Sequence, residues 1–403
     1  MSSPEAAASA DWSARADEAA RSVTRMFGQR LFFLPGTHIA AIERPSGRLK
    51  NLVRPWHYWW QAHYVDCLVD AGRRELSRGA RFDGGSRPSA GQLASRLVTG
   101  VRLRNFFTVV NNYYDDMAWL ALSTLRLEKL AEATRKPGSR RHARIRKSLT
   151  LQFDSASTDD LGGGTFWSTK RDFKNTPATA PVALYYARTG NTAKAQALVD
   201  WLHAKLFDPA HGMYQDGLRI GSNGEVVLEA AIYTYNQGPV LGALLELGGQ
   251  ANLERAAGLV DAVARHLTRP AAVASGRTAA VLRCDGTGDG GLFTGILARY
   301  LALAAVDGRL SRHTRATAAA LVIETAQALW EGRRAVDPAE PLGRRGAQWV
   351  FSVFPETPAG QTYPAGAAVE LSTQLQAWMV LEAAAAVGDS PHHPDPGTNG
   401  RPN

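Results

Sequence analysis

Apolar residues recur along this chain every three to four positions, and runs that alternate residue by residue are nearly absent. The first spacing puts apolar side chains on one face of an α-helix, whereas strict alternation would build a half-buried strand. The pattern predicts helices over 12–32, 56–78, 89–108, 114–134, 141–155, 178–189, 191–207, 238–248, 250–268, 290–307, 313–331 and 370–388. The expected fold class is therefore all-α. Twelve helices make six hairpins, enough to close a double ring. Two pairs are joined by short polar turns, Arg188-Thr189-Gly190-Asn191 and Leu247-Gly248-Gly249-Gln250, with glycine where a helix ends in a left-handed cap. Segments 180–206 and 240–267 look alike, a weak internal repeat for which an irregular bundle of hairpins is the plainer alternative.

Longer loops rich in glycine and aromatics separate the hairpins, at 159–175, 207–236, 271–291 and 337–366. Each joins the second helix of one hairpin to the first of the next, so all four are expected on one rim, where binding loops gather. Residues 11–388 read as a single domain between disordered tails at 1–10 and 389–403.

Composition narrows the picture. Hydrophobic residues make up 45% of the 403, with 10 Trp, 11 Tyr and 13 Phe, so a large core forms and global disorder is excluded. The net charge of +9 raises nucleic acid as a partner. Yet the densest basic run, Ser139 to Lys147, reads as a solvated helix face without any nucleic-acid motif, and none is expected to bind. Two cysteines, Cys67 and Cys284, exclude a disulfide scaffold and suit reduced thiols. No stretch reaches the roughly 20 apolar residues of a membrane span, so no membrane insertion is expected. The opening residues lack a basic run followed by an apolar one, so a cytoplasmic monomer is expected.

The chemistry concentrates in Asn111-Asn112-Tyr113-Tyr114-Asp115-Asp116-Met117-Ala118-Trp119-Leu120. Aspartates at a helix start ordinarily satisfy free amides and the helix dipole. One aspartate suffices for that, and this pair sits among aromatics rather than in a polar turn. Neighbouring helical side chains diverge by about 100°, which sets the carboxyls about 5–6 Å apart, near the roughly 5–5.5 Å of a retaining glycosidase pair. Aromatic and amide clusters recur at the expected rim: Trp56 to Gln61, Phe166-Trp167, Tyr233 to Gly238 and Trp349 to Phe354. Aromatic faces stack on sugar rings while amides and carboxylates hold hydroxyls, although each aromatic taken alone could equally be core. A second acid pair, Asp159-Asp160, precedes Gly162-Gly163-Gly164, which reads as a tight loop letting backbone approach a ligand. The 10 histidines form no HExxH, and neither a metal nor another cofactor is expected.

Tyr113-Tyr114-Asp115-Asp116-Met117-Ala118-Trp119 resembles the hallmark of glycoside hydrolase family 76, the endo-α-1,6-mannanases. The same order continues through Gly162 to Ser168, Lys174-Asn175-Thr176, Asp216-Gly217, Tyr233 to Gly238, Gly295 to Tyr300 and Ser372-Thr373-Gln374. These motifs run from about 55 to 375, nearly the whole ordered chain. The chain departs from the family pattern at Thr294, where a lysine is usual. The resemblance implies an (α/α)6 barrel and retaining cleavage of α-1,6-mannan or mannooligosaccharides, with Asp115 as nucleophile and Asp116 as acid/base. Sugar would be held by Trp60, Gln61, Asn112, Tyr113, Tyr114, Trp119, Trp167, Asn175, Asp216, Tyr235, Asn236 and Gln237. The alternatives are a non-hydrolytic transglycosylase or mannan-binding protein on the same scaffold, and a sugar epimerase or uronide hydrolase of another helical-barrel class.

Overall fold

A computed structural model of the chain describes residues 11–45, 56–136, 139–272 and 277–388; the expected tails at 1–10 and 389–403 lie outside the described residues. Twelve long helices carry the described fold: α1 Trp12–Phe27, α2 Tyr58–Arg78, α3 Ala90–Arg104, α4 Tyr114–Ala133, α5 Ser139–Ala156, α6 Thr176–Arg188, α7 Thr192–Leu206, α8 Thr234–Leu247, α9 Gln250–His266, α10 Gly290–Val306, α11 Arg312–Glu331 and α12 Leu371–Gly388.

Even-numbered helices pack side by side in a closed ring, α2 to α4 and onward to α12, which returns to α2. Each odd-numbered helix lies outside, against an even one. This is an (α/α)6 barrel. Burial follows the layers. In the inner α12 every residue from Leu371 to Ala385 is buried, as an all-round apolar core helix requires. The outer α9 buries one face, with Ala256, Leu259, Val260 and Val263 turned inward. Because the chain alternates between layers, all six inner helices start at the same end of the barrel. Their amide-rich N-termini converge there.

Polar residues inside this apolar ring have a shared task. The fourth residue of α2, α8 and α12 is a buried glutamine: Gln61, Gln237 and Gln374. Each clasps both backbone groups of one residue in a preceding loop. Gln61 accepts from the Ala40 amide at 2.9 Å and donates to its carbonyl at 3.1 Å. Gln237 does so to Tyr214 at 2.9 and 2.8 Å, and Gln374 to Phe351 at 2.8 and 2.8 Å. Thr179, fourth in α6, treats Thr165 likewise through its hydroxyl at 3.0 and 3.4 Å. A buried loop amide needs such a partner, so these contacts pin the rim loops to the ring.

Three differences from the sequence reading have local causes. The first helix stops at Phe27 because Gly28 turns to extended backbone and pairs with Ala40, in a place where a side chain would meet the Thr24 carbonyl at 2.5 Å. The helix expected from 238 begins at Thr234, its first turn obscured by the breakers Gly238 and Pro239. The loops also hold short strands: β1 Gly28–Gln29, β2 Ile39–Ala40, β3 Phe173–Asn175, β4 Gly217–Ile220, β5 Val226–Glu229, β6 Thr268–Ala272 and β7 Thr278–Leu282. These form the antiparallel hairpins β1–β2 and β6–β7 and an antiparallel sheet ordered β3-β4-β5, with Asn175 opposite Gly217. Elements of two to five residues are too short for alternation to register. Cys67 and Cys284 are buried free thiols.

Candidate active site

The rim where the inner helices begin carries the acid pair. Tyr113 precedes α4 in extended conformation, and the Tyr114 amide donates to the Trp167 carbonyl at 2.8 Å, laying loop 165–168 across the helix start. Asp115 Oδ1 accepts the Asp116 amide at 2.9 Å and Oδ2 accepts the Trp167 indole at 3.0 Å. Asp116 Oδ2 accepts the Asn111 side-chain amide at 2.7 Å. So Asp115 does occupy one free helix amide, as a cap would, but Asp116 does not. Both carboxyls are half-buried.

Their surroundings separate them chemically. Burial raises Asp115 from 3.8 to about 7, against the Asp116 amide and Trp167, which favour its charge. Burial also raises Asp116 well above 3.8, and the Asp115 charge raises it further. Asp115 has two fixed donors and a helix N-terminus to steady an anion. Asp116 has one donor and a like charge, so it keeps its proton longer. A third carboxylate, Asp289 at the start of α10, raises both.

Trp59 lies in the expected Trp56 to Gln61 cluster, whereas the sequence singled out neither Phe293 nor Asp289. Its Oδ1 accepts the indoles of Trp59 at 3.2 Å and Trp60 at 2.9 Å. Phe293 stacks on Tyr235 at 3.8 Å between ring centres and touches Tyr233 and Trp59. Tyr235 feels both Asp216 and Asp115, which with burial push its phenol up. Asp216 accepts the Asn236 amide at 3.3 Å and is itself raised to about 6, chiefly by burial. On the other flank Tyr113 and Trp167 lie 5.0 Å apart, ring to ring. The pair therefore stands among aromatic faces and hydrogen-bonding groups.

The family model described as glycosyl hydrolase family 76 matches residues 14–386. The chain belongs to glycoside hydrolase family 76. Among solved structures it is similar to the GH76A α-1,6-mannanase of Salegentibacter sp. HEL1_6, with 25% identity and a TM-score of 0.74 over 94% of this chain and 100% of that one. It shares the fold of the Lin0763 protein of Listeria innocua (23% identity, TM-score 0.73, covering 95% and 99%). It also shares the fold of Dfg5 from Chaetomium thermophilum, solved with glucosamine (18%, 0.66, covering 93% and 90%). No curated protein matches the chain.

Within this family-76 barrel the expected residues fall into two groups. Asp115, Asp116, Tyr113, Trp167, Tyr235, Asp216 and Asn236 gather at the rim, where Asn236 is fully buried and its Oδ1 lacks a partner. Asn112 is exposed beside them, its carbonyl taking the Thr169 amide at 2.9 Å. The others lie behind. Gln61 and Gln237 were read as sugar ligands, but both ends of each amide hold backbone. Tyr114 and Trp119 are buried, Trp119 against His63 at 4.8 Å. Asn175 caps α6 through the Ala178 amide at 3.1 Å. Trp60 is buried and reaches the rim only through its indole nitrogen.

The triple-glycine loop also differs from its reading. It packs on an indole: all three glycines have positive φ, and a Cβ on Gly163 or Gly164 would lie 2.9 or 2.7 Å from Trp201. Inside the loop is the fully buried Lys174. Its ammonium donates to the carbonyls of Thr158 and Asp160 at 2.7 Å, Gly163 at 2.8 Å and Gly164 at 3.2 Å, and to the Thr158 hydroxyl at 3.0 Å. Burial draws this amine down to about 8, opposed by Asp160 and Asp159, so it is mostly charged at neutral pH. The caged cation shapes the loop that delivers Trp167 to Asp115. Asp159 and Asp160 themselves are exposed.

Proposed function

We propose that the protein is a retaining glycosidase that cleaves α-1,6-mannosidic bonds in mannan or mannooligosaccharides. The observation that carries this reading is the unequal pair: adjacent carboxyls both raised by burial, Asp115 holding two donors to its charge and Asp116 one donor beside a like charge. Asp115 attacks the anomeric carbon as Asp116 protonates the departing glycosidic oxygen, leaving a mannosyl ester on Asp115. Asp116, now ionised, takes a proton from water, whose oxygen attacks the same carbon and frees Asp115. Two inversions restore the α configuration. The Asp116 amide and the Trp167 indole steady Asp115 as it is released.

The bond specificity is supported by the similarity to the Salegentibacter α-1,6-mannanase along that enzyme's whole length. An inactive variant of that enzyme, with two consecutive aspartates changed to asparagine, was solved with α-1,6-mannotriose. The test is to incubate the protein with linear α-1,6-mannooligosaccharides and follow products by NMR. Shorter oligosaccharides appearing first as α-anomers are expected. β-Anomers appearing first would refute retention, and intact substrate would refute the specificity. Longer products, made by transfer to sugar in place of water, would mark a transglycosylase.

A further inference from the structure

The three most exposed large apolar side chains among the described residues are Phe33, Phe106 and Phe107, at 90%, 87% and 71%, and Phe32 joins them at 56%. All four have left-handed backbone, with φ of 45° and 61° at Phe32 and Phe33 and 53° and 64° at Phe106 and Phe107. An L residue enters that region at a cost, because its Cβ crowds a carbonyl oxygen. Phenylalanine is thus unfavourable at these positions twice, in hydration and in backbone, unless something covers the rings.

Both pairs are borne by α3. Phe32 and Phe33 lie in the turn between β1 and β2, fastened by the Leu31 amide to the Thr37 hydroxyl at 3.0 Å and that hydroxyl to the Leu34 carbonyl at 2.6 Å. This hairpin sits on α3, where the His38 amide donates to the Arg96 carbonyl at 3.1 Å and a Cβ on Gly100 would lie 2.0 Å from the His38 carbonyl. Phe106 and Phe107 follow the end of α3, tied back by Arg102 Nε to the Phe107 carbonyl at 2.9 Å.

The two segments that carry these rings are basic, and the acids beside α3, Glu75 and Asp83, are tied to the Ala90 amide and to Arg25. Residues 28–42 and 84–114 contain Arg30, Arg87, Arg96, Arg102 and Arg104 and no aspartate or glutamate. From α5, Arg141 reaches Thr99 on α3 at 2.7 Å. We propose that this sector docks on an anionic phospholipid bilayer, with the four phenylalanines entering the interface and the arginines meeting the headgroups. A glycan fits these loops less well. Sugars need polar partners beside a ring, and the Asn105 amide is already bound to the Thr108 and Val110 carbonyls at 3.2 and 3.0 Å. A second copy would bring a like-charged sector. Four residues beyond Phe107, Asn111 holds Asp116, so docking sets the catalytic rim near the lipid, within reach of a glycan anchored there.

The test is flotation of the full chain with vesicles of phosphatidylcholine alone or mixed equally with phosphatidylglycerol, without substrate. The reading therefore does not depend on which bond the enzyme cuts. Wild-type protein is expected to float with the anionic vesicles only, and less so in high salt. The double variant Phe33→Ser/Phe107→Ser should partition at least about tenfold more weakly while keeping its melting temperature and its activity on short soluble substrates. Should that variant fail to fold, Phe33→Trp serves: its emission should shift to the blue on anionic vesicles and be quenched by brominated lipid. Equal binding to both vesicle types, unchanged binding by the double variant, or no quenching would overturn the proposal. So would a variant that loses affinity for mannan, or changes sedimentation, with lipid binding intact.

Discussion

At the residue scale the acid pair binds function to instability. A carboxyl whose folded value lies above its unfolded one favours folding when protonated, and that contribution is lost as pH rises from about 4 through the raised value. Asp115 and Asp116 both have this sign. Changing Asp116 to Asn should therefore raise the melting temperature at pH 8 relative to wild type, with little change at pH 4. The same substitution, or Asp115→Asn, should lower kcat by at least about 10³-fold, the scale of losing a covalent or general-acid role. The wild-type kcat/KM profile should be bell-shaped, its acid limb lying well above 3.8 because Asp115 must lose its proton. Asp116→Asn should erase the alkaline limb. Retained activity in either variant, or an equal loss in Asp159→Asn, would assign the chemistry to other groups.

Among the elements, the loop from 158 to 168 shows how backbone conformation governs a distant carboxylate. Lys174 donates to four carbonyls and a hydroxyl of this loop. Lys174→Met removes this donor from part-buried acceptors, and a fully buried acceptor so stranded costs roughly 1–3 kcal/mol. The variant should melt earlier and lose kcat. Its discriminating signature is the pH profile. Without the Trp167 indole, which lowers Asp115, the acid limb should move to higher pH. A melting change with an unmoved limb would show that the lysine only stabilises.

For the whole molecule, the barrel is tied across its axis below the catalytic rim. Asp66 and Asp70 on α2 each pair with both Arg126 on α4 and Arg299 on α10, the Arg299–Asp70 contact being 2.6 Å. Burial alone would raise Asp66, but the two arginines outweigh it and hold it at about 2. A depressed carboxyl stabilises the fold above its unfolded value, and this contribution is lost as pH falls from about 4 toward 2. Acid unfolding should fall in that window. Arg299→Met leaves Asp66 and Asp70 to share Arg126 alone and should cost about 3–5 kcal/mol in urea denaturation. A loss below about 1 kcal/mol would mean the pairs are effectively solvated.

What the sequence determined by itself is what local periodicity and local chemistry encode. Eleven or more residues of repeating burial announce a helix, so the twelve helices were legible to within a few residues at most ends. Asp115 and Asp116 were legible because adjacency in sequence enforces adjacency in space. What lay outside its reach depends on distant segments meeting. Gln61 and Gln237 look like ligands until Ala40 and Tyr214 arrive to take both ends of each amide. Lys174 looks like a surface lysine until a glycine loop folds around it. Asp289 joins the site only because ring closure carries the start of α10 to the same rim as α4. Tertiary structure decided these roles because a hydrogen bond or a charge acts over a few ångströms of space, however many residues of chain lie between its partners.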